Sequence, residues 1–245
     1  MKKNLSARNH IFKIMILKIL SELKTAASYS RKEANQNMFP TSMEYLGVRT
    51  PEMRVLFNHW WEECKTWPPE KLIVFAKELV NTRNFECNQV AFELLWKNKT
   101  ALSLLTLKDL EELGKNMDNW GTTDTFSVLI SGWAWRNNQM DDEDIVRWLE
   151  SGNRWWRRAA VVSTVGMNAR SRGGAGDTKR TIMVCEKVVE DRDDMIVKAL
   201  SWALRELSKS DKKAVAEFLG KYNEKLAGRV RREVHLKLET GRKNG

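Results

Sequence analysis

The chain has 245 residues, enough for one large domain or for a repeat array with a continuous core. Its 42 lysines and arginines outnumber its 32 aspartates and glutamates, and the formal net charge of +10 favours a polyanionic partner such as nucleic acid. The sequence has four prolines and no long apolar alternation, which argues against an all-β fold.

The cysteines and histidines form no cluster in the sequence. There is no CxxC pair, and both residue types are scattered: Cys64, Cys87, Cys185, His10, His59 and His235. This spacing is typical of reduced thiols in a cytoplasmic protein, and it predicts neither a metal site nor a cofactor. The N-terminal run "IFKIMILKIL" is interrupted by Lys13 and Lys18. We therefore expect an amphipathic helix there, and neither an export signal nor a membrane span.

Apolar periodicity predicts helix along almost the whole chain. The predicted helices cover residues 8–27, 30–38, 51–64, 69–81, 84–97, 107–115, 119–135, 142–149, 154–166, 178–190, 193–208, 211–219 and 225–239. Thr50, Pro51 and Glu52 predict one helix entry, with a hydroxyl cap, a proline at the first position and an acid in the first turn.

From about residue 69 the predicted helices form pairs in which a shorter helix precedes a longer one. The pairs are 69–81 with 84–97, 107–115 with 119–135, 142–149 with 154–166, and 178–190 with 193–208. The second helices recur at intervals of roughly 30–42 residues, the spacing of helical solenoids. We therefore predict an all-α helical-repeat solenoid with a concave basic groove lined by the second helices. An irregular helical bundle is the alternative.

One predicted helix has a tryptophan on its polar side. In "DNWGTTDTFSVLISGW", Asp118 to Trp133, a turn of about 100° per residue separates two faces. The apolar side holds Phe126, Leu129, Ile130 and Trp133. The opposite side holds Trp120, Asp124, Ser127 and Ser131. A large indole among polar side chains is unexpected, because such rings are usually buried.

Two later helices have a similar polar face. In "DDMIVKALSWALRELSK" the apolar side holds Ile196, Leu200, Ala203, Leu204 and Leu207. The opposite side holds Lys198, Trp202, Arg205 and Lys209. In "SGNRWWRRAAVVSTV", Arg154 and Arg158 share one face and Arg157 lies beside them.

We expect these polar faces to align on the concave surface. That surface would present Trp120, Asp124, Arg154, Arg158, Lys198, Trp202 and Arg205. Arginines interleaved with aromatic rings suit a phosphate backbone with its sugars and bases. A single carboxylate among cations repels phosphate, so chemistry explains it better than binding does. The alternative for each tryptophan, taken singly, is packing against a neighbouring loop.

The segment "ARSRGGAGDTKR", from Ala169 to Arg180, predicts a loop with three glycines and four basic residues. It lacks the GKS/T ending of a nucleotide-binding P-loop. Contact with a phosphate backbone and a plain solvated insertion both stay open for this loop.

Four short motifs, in order along the chain from about Tyr45 onward, resemble the DNA alkylation repair (AlkD-like) HEAT-repeat DNA glycosylases. "YLGVRTPEMR" is similar to the family's Leu-Gly-x-x-Thr-Pro-Glu turn, "NWGTTD" to its Trp-x-x-x-Asp, "WWRRAA" to its Trp-x-x-Arg helix start and "SWALRE" to its Trp-x-x-Arg-Glu. The resemblance implies one α-helical repeat domain over 1–245, with N-terminal capping helices in 1–45 and HEAT-like helix pairs in 46–245. It also implies a monomer.

The resemblance assigns roles to the matching residues. Asp124 would be the catalytic carboxylate, and Trp120 and Trp202 would be aromatic walls against the sugar–phosphate backbone at the lesion. The remaining set would bind DNA: Arg158 and Arg205 at phosphates beside the lesion, Arg154 and Lys198 near them, and Thr50 and Pro51 close to the opposite strand. Arg49, next to Thr50, departs from the residue type more common there. The loop 169–177 is longer than in other members, so its role does not transfer.

The implied activity is that of a monofunctional glycosylase, which removes cationic N3- or N7-alkylated purines from duplex DNA. No lysine nucleophile is required, so we expect no strand cleavage. The first rival is a structure- or damage-specific DNA-binding protein of the same fold without catalysis, and retention of Asp124 with both tryptophans favours activity over it. The second rival is a helical scaffold for proteins, which would not explain the cationic face.

Overall fold

The structure is a computed structural model that describes residues 2–28 and 40–242, with side chains from residue 10 onward. The prediction of a helix over 30–38 lies outside the described residues. Helices are the regular secondary structure of the described part of the chain, whose only β-type pairing is an isolated bridge between Glu44 and Asn84. The prediction of an all-helical chain is therefore confirmed. The architecture is consistent with a helical-repeat fold, while the solenoid and its basic groove stay predictions.

We number the α-helices of the described residues in chain order. They are α1 Lys2–Thr25, α2 Thr50–Cys64, α3 Pro69–Asn81, α4 Phe85–Lys97, α5 Lys99–Ser103, α6 Leu107–Gly114, α7 Trp120–Phe126, α8 Gly132–Arg136, α9 Asp142–Leu149, α10 Arg154–Asn168, α11 Thr178–Lys187, α12 Asp194–Leu207, α13 Lys212–Tyr222 and α14 Gly228–Thr240. A π-helical turn, Ser127–Ser131, joins α7 to α8, and a 3-10 turn, Arg170–Arg172, follows α10.

Most helix bounds agree with the predicted ones within a few residues. The short helix α5 was not predicted, because five residues are too few to show a periodicity. The predicted hydroxyl cap at Thr50 is wrong: α2 begins at Thr50, Arg49 is the N-cap residue, and no side chain caps this end. Two other helices, α6 and α9, begin with complete capping boxes, at Thr106 with Asp109 and at Asp141 with Asp144.

The chain divides into two compact units, Met1–Thr122 and Thr123–Gly245. In the first unit, α3 packs against α4, and the largest fully buried side chains include Trp60, Phe75 and Phe92. In the second unit, α10 lies centrally and packs against the π turn, α8, α9 and α12. No helix among the described residues is both long and apolar enough to cross a membrane.

Small residues bring the π turn and α8 very close to α10. A Cβ added at Gly132 would lie 2.5 Å from the carbonyl oxygen of Ser163, and one at Gly166 would lie 2.9 Å from the carbonyl oxygen of Val128. Within the same contact, the hydroxyls of Ser131 and Ser163 form a hydrogen bond of 2.6 Å. Only glycine permits this approach, and it fixes the helix after Asp124 against the helix that carries Arg158.

This packing corrects the predicted polar face of "DNWGTTDTFSVLISGW". Ser127 and Ser131 were expected on the exposed side with Asp124, but both are fully buried. The Ser127 hydroxyl donates to the carbonyl oxygen of Thr123 at 2.6 Å, so burial leaves it satisfied. The π turn also widens the helix after Phe126, and a wheel drawn at a constant 100° per residue does not include that change.

Candidate functional site

An ion pair between Asp124 and Arg158 joins α7 to α10. Arg158 Nε donates to Asp124 Oδ1 and its Nη2 donates to Oδ2, each at 2.8 Å, which is the bidentate geometry that a guanidinium forms with a carboxylate. Arg158 Nη1 also donates to the carbonyl oxygen of Met195, in the first turn of α12, at 2.5 Å. One buried arginine therefore fixes the carboxylate relative to two helices.

The Asp124 carboxyl is partly shielded from solvent. Its side chain is 17% exposed and that of Arg158 is 6% exposed. Burial raises the pKa of the Asp124 carboxyl, and the hydrogen bonds and positive charge of Arg158 act in the opposite direction. Because arginine stays protonated and both carboxylate oxygens accept hydrogen bonds, the geometry corresponds to the ionised aspartate.

An aromatic cluster packs behind this ion pair. The ring of Trp156 lies edge-on to Phe126 at 6.2 Å and lies 4.7 Å from the ring of Trp148. These contacts partly cover Trp156 on α10. They hold the first turn of α10, where the arginines lie, against α7 and α9.

The other cations of the predicted basic face have acidic partners. Arg154 pairs with Asp193 at 2.6 Å, and Lys198 pairs with Asp194 at 2.6 Å. Arg157 lies 3.6 Å from Asp191. These acids lie in the loop before α12 and in the first turn of α12. A helical wheel drawn for one helix at a time does not show pairs that form between different segments. Since Arg154 and Lys198 are about half exposed, their pairs contribute little stability and can exchange for another anion.

Arg205 differs from its prediction. It was expected on the exposed side of α12, yet the residue is only 9% exposed. Its Nε donates to the carbonyl and hydroxyl oxygens of Ser201, and its Nη2 lies 3.5 Å from Glu233 of α14. The packing of α14 against α12 covers this arginine, whereas Trp202 beside it stays partly exposed.

Trp120 is the first residue of α7 and lies at the end of the first unit, where it is partly buried. The residues before it are tied to the segment after residue 40: Asp118 accepts hydrogen bonds from the Thr41 hydroxyl at 2.5 Å and from the Ser42 amide at 2.6 Å. Burial acts to raise the pKa of Asp118, but the hydrogen bonds from Ser42 and Thr41 outweigh it and lower that pKa. An ionised Asp118 thus fixes the start of the helix that carries Trp120.

Glu86 organises the turn "LGVRTP" in the first unit. Its buried carboxylate accepts hydrogen bonds from the amides of Leu46, Gly47 and Val48, at 2.9 Å for the closest, which is Gly47. Burial raises its pKa, and the backbone hydrogen bonds oppose that shift. The chain then leaves this turn with three exposed residues: Arg49, Thr50 and Pro51. Glu86 is thus a positioning residue for them.

Comparison with known proteins decides the family. A family model described as "DNA alkylation repair enzyme" matches residues 19–237, nearly the whole chain. This chain belongs to the DNA alkylation repair enzyme family. The resemblance seen in the four motifs is therefore confirmed, and DNA follows as the substrate class. Among curated proteins, none matches this chain.

For this DNA alkylation repair family member, the structure brings together only some of the predicted site residues. Asp124 and Arg158 are in direct contact, Arg154 is the first residue of α10, and Lys198 is the fifth residue of α12. Sequence reasoning missed Glu86 and the acids before α12, since a glutamate or aspartate near a helix start is also an ordinary cap residue. No group of three or more histidine, cysteine or acidic side chains arranged to hold a metal occurs in the part of the chain that the structure describes.

Proposed function

We propose that this protein is a monofunctional DNA glycosylase that releases cationic N3- and N7-alkylated purines from duplex DNA. The observation that carries the proposal is the Asp124 carboxylate, held by a buried arginine inside a basic member of an alkylation repair family. A partly exposed carboxylate that is fixed in place can stabilise positive charge that develops on a substrate.

The reaction requires little from the protein beyond electrostatics and water placement. An alkylated purine is already cationic, so the glycosidic bond breaks with its electron pair going to the base, which leaves as a neutral molecule. Positive charge then develops on the sugar, and a water adds to its anomeric carbon and loses a proton. Asp124 stabilises the charged sugar and orients that water, without a covalent intermediate or a metal.

The size of the electrostatic contribution depends on Arg158. A carboxylate about 4 Å from a positive sugar stabilises it by about 4 kcal/mol at an effective dielectric constant of ~20. A guanidinium on the far side of that carboxylate, at about 8 Å, opposes this by about 2 kcal/mol. The net stabilisation by the pair is therefore about 2 kcal/mol, or roughly 30-fold in rate, whereas loss of the carboxylate charge alone, with Arg158 still present, would cost about 4 kcal/mol, or roughly 1000-fold.

From their motifs, Trp120 and Trp202 are proposed as aromatic walls beside the sugar. An indole face within about 6 Å of a cation adds an attraction of roughly 0.5–2 kcal/mol. This contribution grows as the sugar becomes positive, so it acts in the transition state more than in the bound substrate.

The remaining predicted residues are proposed to bind the DNA backbone. Arg154 and Lys198 would exchange their carboxylate partners for phosphates, since both cations are about half exposed. Arg158 and Arg205, which are buried, would act mainly by holding Asp124 and α12, with phosphate contact through the N–H groups that remain. The exposed turn of Arg49, Thr50 and Pro51 is proposed to face the opposite strand.

Product analysis tests this proposal. Incubation of the protein with methylated duplex DNA should release free N3- or N7-methylpurine and leave an abasic site in an intact strand, which breaks only after alkali treatment. Strand cleavage by the protein alone would contradict the monofunctional assignment. Tight binding of the methylated duplex without release of base would instead support the alternative, a non-catalytic protein that recognises damaged DNA.

A further inference from the structure

The loop after α10 has a defined conformation that its glycines require. Gly173 and Gly176 have φ angles of +75° and +95°, and a Cβ at Gly174 would lie 2.3 Å from the carbonyl oxygen of Met167. A side chain at Gly174 would therefore clash with the backbone, and the other two positions favour glycine. The glycine content of this loop thus reflects a tightly folded turn rather than a flexible insertion.

Hydrogen bonds fix both ends and the middle of the loop. The side chain of buried Asn168 accepts from the Asp177 amide at 2.7 Å and donates to the Thr181 hydroxyl at 2.8 Å. In the middle, both terminal nitrogens of Arg136 donate to the carbonyl oxygen of Arg172 at 3.2 Å. The loop is consequently built on α8, α10 and α11 at once.

The loop presents positive charge that acidic residues do not neutralise. Arg170 and Lys179 are exposed, and neither has an ion pair within the described residues. Arg136 lies beneath the loop, where both of its terminal nitrogens donate to the carbonyl oxygen of Arg172, and burial lowers its pKa. The acid that follows the loop in sequence, Asp177, caps α11 and pairs with Arg180.

We propose that this loop, Arg170–Gly176 together with Lys179, binds phosphates of the DNA backbone outside the Asp124 site. This inference rests on the proposed function, because it takes duplex DNA as the ligand. By helix rise, Asn168 lies about 15 Å along α10 from Arg158. A duplex carries one phosphate charge per about 1.7 Å of its axis, so the loop would meet phosphates other than those at the lesion.

The prefolded loop also lowers the cost of binding. Ordering a flexible segment on DNA costs conformational entropy for each residue that becomes fixed. Here the glycine turns and the Arg136 contact fix the backbone beforehand, so binding has only to order the exposed side chains of Arg170 and Lys179. A loop that is only a solvated insertion would not need the glycine turns and the Arg136 contact. It would also not need exposed cations that lack an acidic partner among the described residues, such as Arg170 and Lys179.

The salt dependence of DNA binding tests the inference. Affinity for an undamaged duplex is measured against salt concentration for the wild type and for the double variant Arg170→Ala/Lys179→Ala. The slope of the logarithmic plot should become shallower by about 1.8, because each phosphate contact contributes about 0.9. The matched control is Lys187→Ala/Arg232→Ala, which removes the same charge from two exposed cations elsewhere and should leave the slope unchanged.

An unchanged slope in the loop variant, or an equal change in the control, would overturn the inference. Base release is measured separately on the wild type, so the two proposals can fail independently. A loop-dependent slope without base release would overturn the glycosylase proposal alone. Base release with a loop-independent slope would overturn this inference alone.

Discussion

At Asp124 two opposing effects act on one carboxyl group. Burial favours the neutral acid and raises its pKa, while Arg158 favours the carboxylate through two hydrogen bonds and its positive charge. The proposed chemistry needs the charged form, because only that form attracts a positive sugar. Arg158 therefore lowers the electrostatic strength of the carboxylate but keeps it ionised and in place.

Replacement of Arg158 by glutamine tests this balance through the pH dependence of catalysis. The wild-type rate should fall as pH decreases through a pKa above 3.8, the ordinary value, since protonation removes the charge of Asp124. Without the guanidinium the pKa of Asp124 should rise further, so the rate of Arg158→Gln should begin to fall at higher pH. Single-turnover rates measured across the acid range check this.

The control for that experiment is the neighbouring Arg157→Gln. Arg157 pairs loosely with Asp191 and Asp193 and does not contact Asp124. Its variant should keep the pH profile of the wild type. Identical profiles for Arg158→Gln and the wild type would contradict the proposed link between Arg158 and the ionisation of Asp124.

The helices approach each other closely where α8 and the π turn cross α10. Gly132 and Gly166 allow the backbones to touch, and the buried hydroxyls of Ser131 and Ser163 pair across the contact. This crossing helps to set the position of Arg158 relative to Asp124, because Arg158 lies on α10 and Asp124 lies on α7, which continues directly into the π turn.

Gly132→Ala should destabilise the protein. Its added methyl group would lie 2.5 Å from a carbonyl oxygen, and overpacking of this kind costs about 1–3 kcal/mol in free energy of unfolding. The control is Gly220→Ala in α13, where nothing lies within 4 Å of the added carbon and a gain of about 0.5–1 kcal/mol is expected. Urea unfolding of both variants measures this. A Gly132→Ala variant as stable as the wild type would contradict the described crossing.

The helices themselves could be predicted from sequence because apolar periodicity is a local property. The pairing of charges could not, since Asp193 and Arg154 are distant in sequence and meet only when α10 and α12 pack. For the same reason, the sequence does not show that Arg205 is buried under α14 or that Ser131 is buried against Ser163. The motifs predict Asp124 and Arg158 as site residues, which stays a prediction, and their direct contact is visible only in the structure.

For the whole molecule, the net charge of +10 and the family agree on DNA as the partner. Many of the cations pair with acids on the protein, so the excess charge acts through those that remain and through exposed pairs that a phosphate can displace. We propose that cations at several positions supply affinity for DNA, whereas the single carboxylate of Asp124 supplies the chemistry. A substitution at Asp124 should therefore lower the rate of base release without lowering the affinity for DNA.

The most direct measurement is the single-turnover rate of base release from methylated duplex DNA by the wild type and by Asp124→Asn, with DNA affinity measured in parallel. Thermal unfolding of both proteins establishes that each is folded at the assay temperature, because Arg158 loses its charged partner in the variant. The account predicts a rate roughly 1000-fold lower for Asp124→Asn, with affinity for DNA retained. Equal rates for the two folded proteins would contradict it.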